Sequence, residues 1–187
     1  DENKLSPSLS VSVQPMRNRL FFIRASYKNI FRMPTFNETY YFRMGSTSLK
    51  PEDTDQFNFG LTWQYNSTNW LNALVLTGDV YYNNVKDKIV ALPTNMFIWT
   101  MTNMDKARAF GVDVTASATF NIARRQSLVF AGNYSWQRVQ PRTSPTDPDY
   151  NKQVAYTPIH SGAASLSWEN PWVDVVVHTT FVAVPVA

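Results

Sequence analysis

At 187 residues the chain is long enough for one ordinary domain; hydrophobic residues, at 44%, are in the globular range, while aromatics are high at 14% and charged residues low at 17%. The net charge of +3 comes from Lys and Arg scattered along the chain, with Arg124-Arg125 the one adjacent basic pair, so no basic stripe exists to track a phosphate backbone and nucleic acid is excluded as a partner. Cysteine is absent, which excludes disulfide frameworks and thiolate metal sites, and no apolar run approaches the ~18–20 residues of a membrane helix.

In chain order, the informative signal is a period of two. A first strand sets Leu9, Val11 and Val13 against Ser8, Ser10 and Ser12, and a tight turn follows at 15–18. A second sets Phe21, Ile23, Ala25 and Tyr27 against Arg24 and Ser26, and leads into a long loop, 28–52. The third has Phe57, Phe59, Leu61, Trp63 and Tyr65 on one face and Asn58, Gly60, Thr62 and Gln64 on the other, closing in a short turn at 66–70. The fourth places Leu74, Leu76, Gly78, Val80 and Tyr82 opposite Thr77, Asp79, Tyr81 and Asn83, and a second long loop is expected at 84–106. The fifth runs Phe110, Val112, Val114, Ala116, Ala118 and Phe120 against Gly111, Asp113, Thr115, Ser117 and Thr119, ending in a short turn at 121–126. The sixth opposes Leu128, Phe130, Gly132, Tyr134 and Trp136 to Ala131, Asn133, Ser135 and Gln137, before a third long loop at 138–157. Ala164, Leu166 and Trp168 mark the seventh, a short turn lies at 169–171, and Val173, Val175, Val177, Thr179 and Phe181 face away from Asp174, His178 and Thr180 on the eighth.

These runs are about 9–14 residues, longer than the ~5–6 of globular sheets and matched to the ~9–11 of membrane strands. The apolar register carries no charge; it is aliphatic in its middle and aromatic near its ends, the layout produced by girdles at two lipid–water interfaces. Short and long connections alternate, as they do in outer-membrane barrels, with short turns periplasmic and long loops outside. The first connection is short, so the first strand runs from outside to periplasm and the eighth ends outside. That parity does not fit a complete eight-stranded barrel. The expected fold is therefore all-β: an antiparallel up-and-down transmembrane β-barrel segment of about eight strands from a larger barrel. Two free strand edges would then need partners, from further wall strands or from neighbouring molecules.

Four segments carry a family resemblance. FRMPTFNETYYFR (31–43) is similar to a Phe-Arg-x-Pro-Thr entry into a long outer loop, and LKPEDTDQFNFGLTW (49–63) to a Leu-Lys-Pro-Glu return. NMDKARAFGVDV (103–114) is similar to an Asn…Ala-Arg-x-x-Gly-Val-Glu strand start, with Asp113 where Glu is commoner, and YTPIHSGAASLSW (156–168) to a Tyr-x-Pro-x-His start. Together they resemble TonB-dependent outer-membrane receptors, nearest the cobalamin and iron-chelate branches. The resemblance implies a barrel of about 22 strands plugged by an N-terminal domain, with residues 1–187 a partial barrel lacking plug and terminal strands. It implies uptake of a scarce nutrient such as a metal chelate or cobalamin. The implied partners are outer-membrane lipid, a small-molecule chelate ligand, and the TonB energy-transducing complex acting through the plug.

Candidate ligand contacts are Arg32, Asn37, Glu38, Tyr40 and Tyr41 in the first long loop and Trp99 in the next; the same loop residues would equally serve to order it. No catalytic constellation, cofactor motif or metal-ligand spacing is present, so an enzyme is not expected. Asp79, Asp113 and Asp174 read as solvated wall residues, and His160 as a structural hydrogen-bonding group. A soluble all-β binding or structural module is the alternative to a transporter, since alternation alone does not separate them.

Overall fold

The computed structural model describes residues 4–17, 19–95, 98–142, 150–154 and 157–183. Asn18 of the first turn, 143–149 and 155–156 of the third long connection (including Tyr156 of its strand-entry motif), and the terminal 184–187 lie outside the described residues. Eight strands form one antiparallel sheet in sequence order: β1 (Ser8–Val13), β2 (Leu20–Arg32), β3 (Glu52–Asn66), β4 (Leu71–Asn95), β5 (Ile98–Ala123), β6 (Gln126–Pro141), β7 (His160–Glu169) and β8 (Val175–Ala183). The sheet is not closed; β1 pairs with β2 and β8 with β7, which leaves one free edge on each. Among the described residues no helix is long and apolar enough to cross a membrane.

Register follows the alternation. Leu9 pairs with Tyr27, Tyr27 with Phe57, Phe57 with Tyr82 and Tyr82 with Phe110, so one face is apolar across the strands. That face is the more exposed one: Phe57, Phe59, Leu61, Trp63 and Tyr65 are exposed, while Asn58, Thr62 and Gln64 are half-buried and Gly60 is buried. A soluble sheet does the reverse. Among the described residues the buried hydrophobics are Val85, Ile89, Ala107 and Ala118, none of them a large side chain fully shielded from solvent. Monomeric soluble proteins rarely leave contiguous apolar surface beyond a few hundred Å² uncovered, so this sheet requires an apolar partner along its outer face.

Two expectations are corrected. The stretch 84–106, apart from 96–97, which lie outside the described residues, is no loop: β4 and β5 continue as a paired ribbon, from Asn83 opposite Ala109 to Asn95 opposite Ile98. At ~3.4 Å per residue the ribbon projects roughly 40 Å beyond the aromatic pair Tyr82 and Phe110. Its residues alternate poorly because it stands above the apolar belt, where neither face needs to be uniformly greasy. The second correction concerns Asp174. β8 begins at Val175, and Asp174 sits in the turn before it, where its carboxylate accepts the Asn170 amide at 3.4 Å. It is a turn residue, not part of the wall.

The inner face uses one device twice. Gly60 pairs with Arg24 on one side and Asp79 on the other, and the Arg24 guanidinium crosses above it to donate to Asp79 at 3.0 and 3.3 Å. Gly111 lies between Tyr81 and Gln137, and the Tyr81 hydroxyl crosses it to donate to Gln137 at 3.3 Å. In both places the missing Cβ leaves the path by which a long side chain spans two strands. Asp113, opposite Asp79, accepts instead from the Ser135 hydroxyl.

Candidate functional site at the outer end of the sheet

The segment between β2 and β3 is held by a clamp assembled from three separate stretches of sequence. Thr35, in extended backbone (φ −74, ψ 161), caps a short helix, α1 (Phe36–Tyr40). Its hydroxyl accepts the Glu38 amide at 3.3 Å, and its own amide donates to Glu38 Oε2 at 2.7 Å, a reciprocal capping box. Arg32, the last residue of β2, donates through Nη1 to both Glu38 carboxylate oxygens at 3.0 Å and through Nε to Glu52 Oε2 at 2.8 Å. Glu52 faces Arg32 across the first pair of the β2–β3 ladder, and its other oxygen accepts the Ile89 amide of the ribbon at 2.6 Å.

Asn103 forms the third attachment. Its side-chain oxygen accepts the Lys50 amide at 2.7 Å, while its Nδ2 donates to the Lys50 carbonyl at 3.0 Å and to the Asp87 carbonyl at 2.7 Å. Asp87 presents that carbonyl from left-handed backbone, φ 52, which Asp adopts more readily than most residues. The Met101 amide donates to the Met44 carbonyl at 2.8 Å, so the far part of the segment is also pinned to β5.

The electrostatics follow from this wiring. The Thr35 amide, the largest influence, holds the Glu38 carboxyl below its ordinary pKa against the opposing effect of burial, and the Arg32 guanidinium adds to the lowering. Burial alone would raise Glu52, but the hydrogen bonds from Arg32 and the Ile89 amide outweigh it and leave the carboxyl lowered. Arg32 is raised, chiefly by its bond to Glu52. At neutral pH the clamp therefore holds one cation between two carboxylates.

The six predicted contact residues separate into two groups. Arg32 and Glu38 bind each other and order the segment. Asn37, whose carbonyl accepts the Tyr41 amide at 3.1 Å, Tyr40 and Tyr41 lie on α1 and its C-terminal cap; both tyrosines are exposed beside exposed Phe36 and Phe42. Trp99 is exposed near the tip of the ribbon, opposite Pro93, on the same strand as the Met101 attachment. The outcome is a rigidly based outer surface of aromatic rings over a polar inner wall. Glu52 and Asn103, which hold the arrangement together, are not among the predicted residues. Both stand in the segments that carry the family resemblance, and that was the available signal. His160, in a further such segment, shares a hydrogen bond of 2.7 Å with the Tyr134 hydroxyl.

The family described as TonB dependent receptor-like, beta-barrel matches residues 1–184. The vitamin B12 transporter BtuB of Vibrio vulnificus (strain YJ016) is 30% identical over 87 residues, covering 46% of this chain and 13% of that protein. Among solved structures, the copper transporter OprC superposes with a TM-score of 0.73 at 18% identity, over 95% of this chain and 26% of that one. The siderophore receptor PirA from Pseudomonas aeruginosa gives 0.60 at 19% identity, over 95% and 31%. The FrpB iron transporter from Neisseria meningitidis gives 0.57 at 16% identity, over 95% and 26%. The chain thus spans less than a third of the length of each of these proteins.

Proposed function

The chain belongs to the TonB-dependent receptor β-barrel family, and from that premise we propose that it is part of the wall of an outer-membrane transporter taking up a scarce nutrient, a metal chelate or a cobalamin, with energy delivered through TonB. The observation that carries the reading is the inverted sheet. It is clearest on β3, where Phe57, Phe59, Leu61, Trp63 and Tyr65 are exposed and the residues between them half-buried or buried, and it continues on β4 in Leu76, Val80 and Tyr82; the alternating runs of β3 to β6 have about the ~9–11 residues that cross an outer membrane. Lipid supplies the apolar partner that the outer face requires, and a wet lumen solvates Arg24, Asp79 and Asp113 inside.

Residues 1–187 are, on this reading, one arc of a larger closed barrel of about 22 strands. The free edges of β1 and β8 pair with further wall strands, and a plug domain elsewhere in the protein contacts TonB. The ribbon and the clamped segment stand outside the cell. There Asn37, Tyr40, Tyr41 and Trp99 meet the incoming chelate, and Arg32 and Glu38 fix the base on which they stand. The cargoes for which the matched proteins are named, vitamin B12, copper, siderophore and iron, support a small metal-bearing cargo.

The test is uptake by the complete receptor, expressed in a Gram-negative host stripped of its own cobalamin and ferric-chelate receptors. Accumulation of labelled cobalamin or of a labelled metal chelate that requires an intact TonB is the expected result. Absence of TonB-dependent accumulation of every such cargo, with the receptor folded in the outer membrane, contradicts it.

A further inference from the structure

The segment between β2 and β3 lies over one face of the ribbon, and Asn103 marks which face. Its side chain accepts the Lys50 amide at 2.7 Å and donates to the Lys50 carbonyl at 3.0 Å, so the face of β5 that carries Asn103 looks toward residues 44–50. Side chains two apart on a strand share a face, so Met101 and Trp99 look the same way. Opposite them on β4 stand Ala91 and Pro93, and the small Ala91 leaves room beside Met101.

Met44 is brought to that place by a tight turn. The Met44 and Gly45 amides both donate to the Tyr41 carbonyl, at 3.1 and 2.7 Å. A Cβ at Gly45 would fall 2.6 Å from the Thr39 carbonyl oxygen and from the Tyr41 nitrogen, so a side chain there would collide with the backbone of α1 and its cap. The Met44 carbonyl then accepts the Met101 amide at 2.8 Å. Both methionines are half-buried, and Trp99 is exposed.

Met33, Met44, Met101 and Met104 lie in this segment and the ribbon, and no methionine of residues 1–187 lies in the apolar belt, where Leu, Val and Phe fill the outer face. Thioethers are the only soft donors in a sequence without cysteine, and soft donors select Cu(I) over harder ions. Among the described residues no group of three His, Asp or Glu could hold a harder metal. An indole face adds attraction for a cation placed over it.

We propose that Met44 and Met101 form a binding site for a soft monovalent cation, Cu(I) or its analogue Ag(I), held between the two thioethers with the Trp99 ring against it. The ion binds as such, without a change of oxidation state. The inference rests on the transporter reading given above only in placing the site at the outer mouth, and it adds a bare metal ion to a surface otherwise assigned to a chelate.

The experiment uses the complete receptor in detergent, with Ag(I) as a probe that needs no reductant, and measures silver retained per protein after desalting. Wild type retains one Ag(I) more than the double variant Met44→Leu with Met101→Leu, and excess Zn(II) leaves that ion in place. Leucine keeps nearly the same apolar volume, so amide exchange across 33–51 is the same in both proteins. Met16→Leu, in the first short turn, retains as much silver as wild type, and Trp99→Leu weakens binding severalfold. Equal silver in wild type and the double variant, displacement by Zn(II), or an unchanged affinity in Trp99→Leu overturns the inference. A receptor that lacks this ion yet accumulates a chelate through TonB overturns the inference alone; one that holds it yet accumulates no chelate or cobalamin through TonB overturns the transport reading alone.

Discussion

The inner-face bridges make a graded glycine series the most informative perturbation of the wall. A Cβ added at Gly78 meets nothing within 4 Å, so Gly78→Ala gains the ordinary ~0.5–1 kcal/mol from reduced backbone entropy. At Gly60 the new carbon falls 2.1 Å from Asp79 Oδ1 and 3.1 Å from Arg24 Nη2, but both are ends of flexible side chains. The displaced ion pair is roughly half exposed and contributes only ~0.2–1 kcal/mol, so Gly60→Ala should come out within about 0.5 kcal/mol of neutral. Gly111 differs in kind. Its Cβ would lie 2.5 Å from the Trp136 carbonyl oxygen, a ladder atom that moves only with the strand, and 2.6 Å from the Tyr81 hydroxyl. Overpacking against backbone, together with loss of the Tyr81–Gln137 bond, makes Gly111→Ala cost about 1–3 kcal/mol. Denaturant titrations of the complete receptor refolded in lipid vesicles give the three values directly. A Gly111→Ala variant no less stable than Gly78→Ala would refute the argument that close passage of a side chain is what selects glycine in this wall.

Three further outcomes follow from the clamp and the orientation. Glu52→Gln weakens the Arg32 ion pair and the acceptor for the Ile89 amide, and should speed hydrogen exchange across 33–51 and at Ile89 while leaving the belt strands protected; unchanged exchange there would contradict the clamp. Because Glu38 and Glu52 have lowered pKa values in the folded state, their contribution is fully present above the ordinary carboxylate value of ~4.3 and is lost as pH falls through the depressed folded values. Protease susceptibility of 33–51 should thus be flat from pH 8 to about 5 and rise only below ~4, whereas a rise centred near neutral pH would point to a different titrating group. In the complete receptor, with any cysteine outside residues 1–187 replaced, a membrane-impermeant maleimide should label Asn37→Cys on intact cells and Asn69→Cys only after the outer membrane is permeabilised; the reverse order would invert the orientation.

How much of this was legible follows from the kind of interaction that built each part. The eight strands and their two faces could be read because a sheet with one apolar and one polar face constrains every second residue, and Leu61 or Val114 cannot exchange registers with Thr62 or Thr115 without reversing the faces. The ribbon escaped because that constraint ends at Tyr82 and Phe110; above them pairing continues on backbone bonds that leave little mark on Lys86, Lys88 or Pro93. The helix α1 escaped although Thr35 and Glu38 stand at capping-box spacing, because five residues are too few to show a helical period. The clamp was hidden for a different reason. Arg32 meets Glu52, and Asn103 meets Lys50 and Asp87, only after strand pairing, so resemblance could mark the segments containing them without saying which partners they bond.

The central claim is that the exposed apolar register faces hydrocarbon, and the most direct measurement compares arginine at adjacent positions on one strand. Leu61 is exposed on the outer face and Thr62 half-buried on the inner one, where its hydroxyl lies 3.4 Å from that of Thr77. An arginine facing lipid at the bilayer midplane costs ~2–4 kcal/mol, while one facing a wet lumen stays hydrated. In the complete receptor in lipid vesicles, Leu61→Arg should lose about that much folding stability and Thr62→Arg far less, with the same contrast between Val114→Arg and Thr115→Arg. Equal losses within each pair, or a larger loss on the threonine side, would mean that the outer face does not meet lipid.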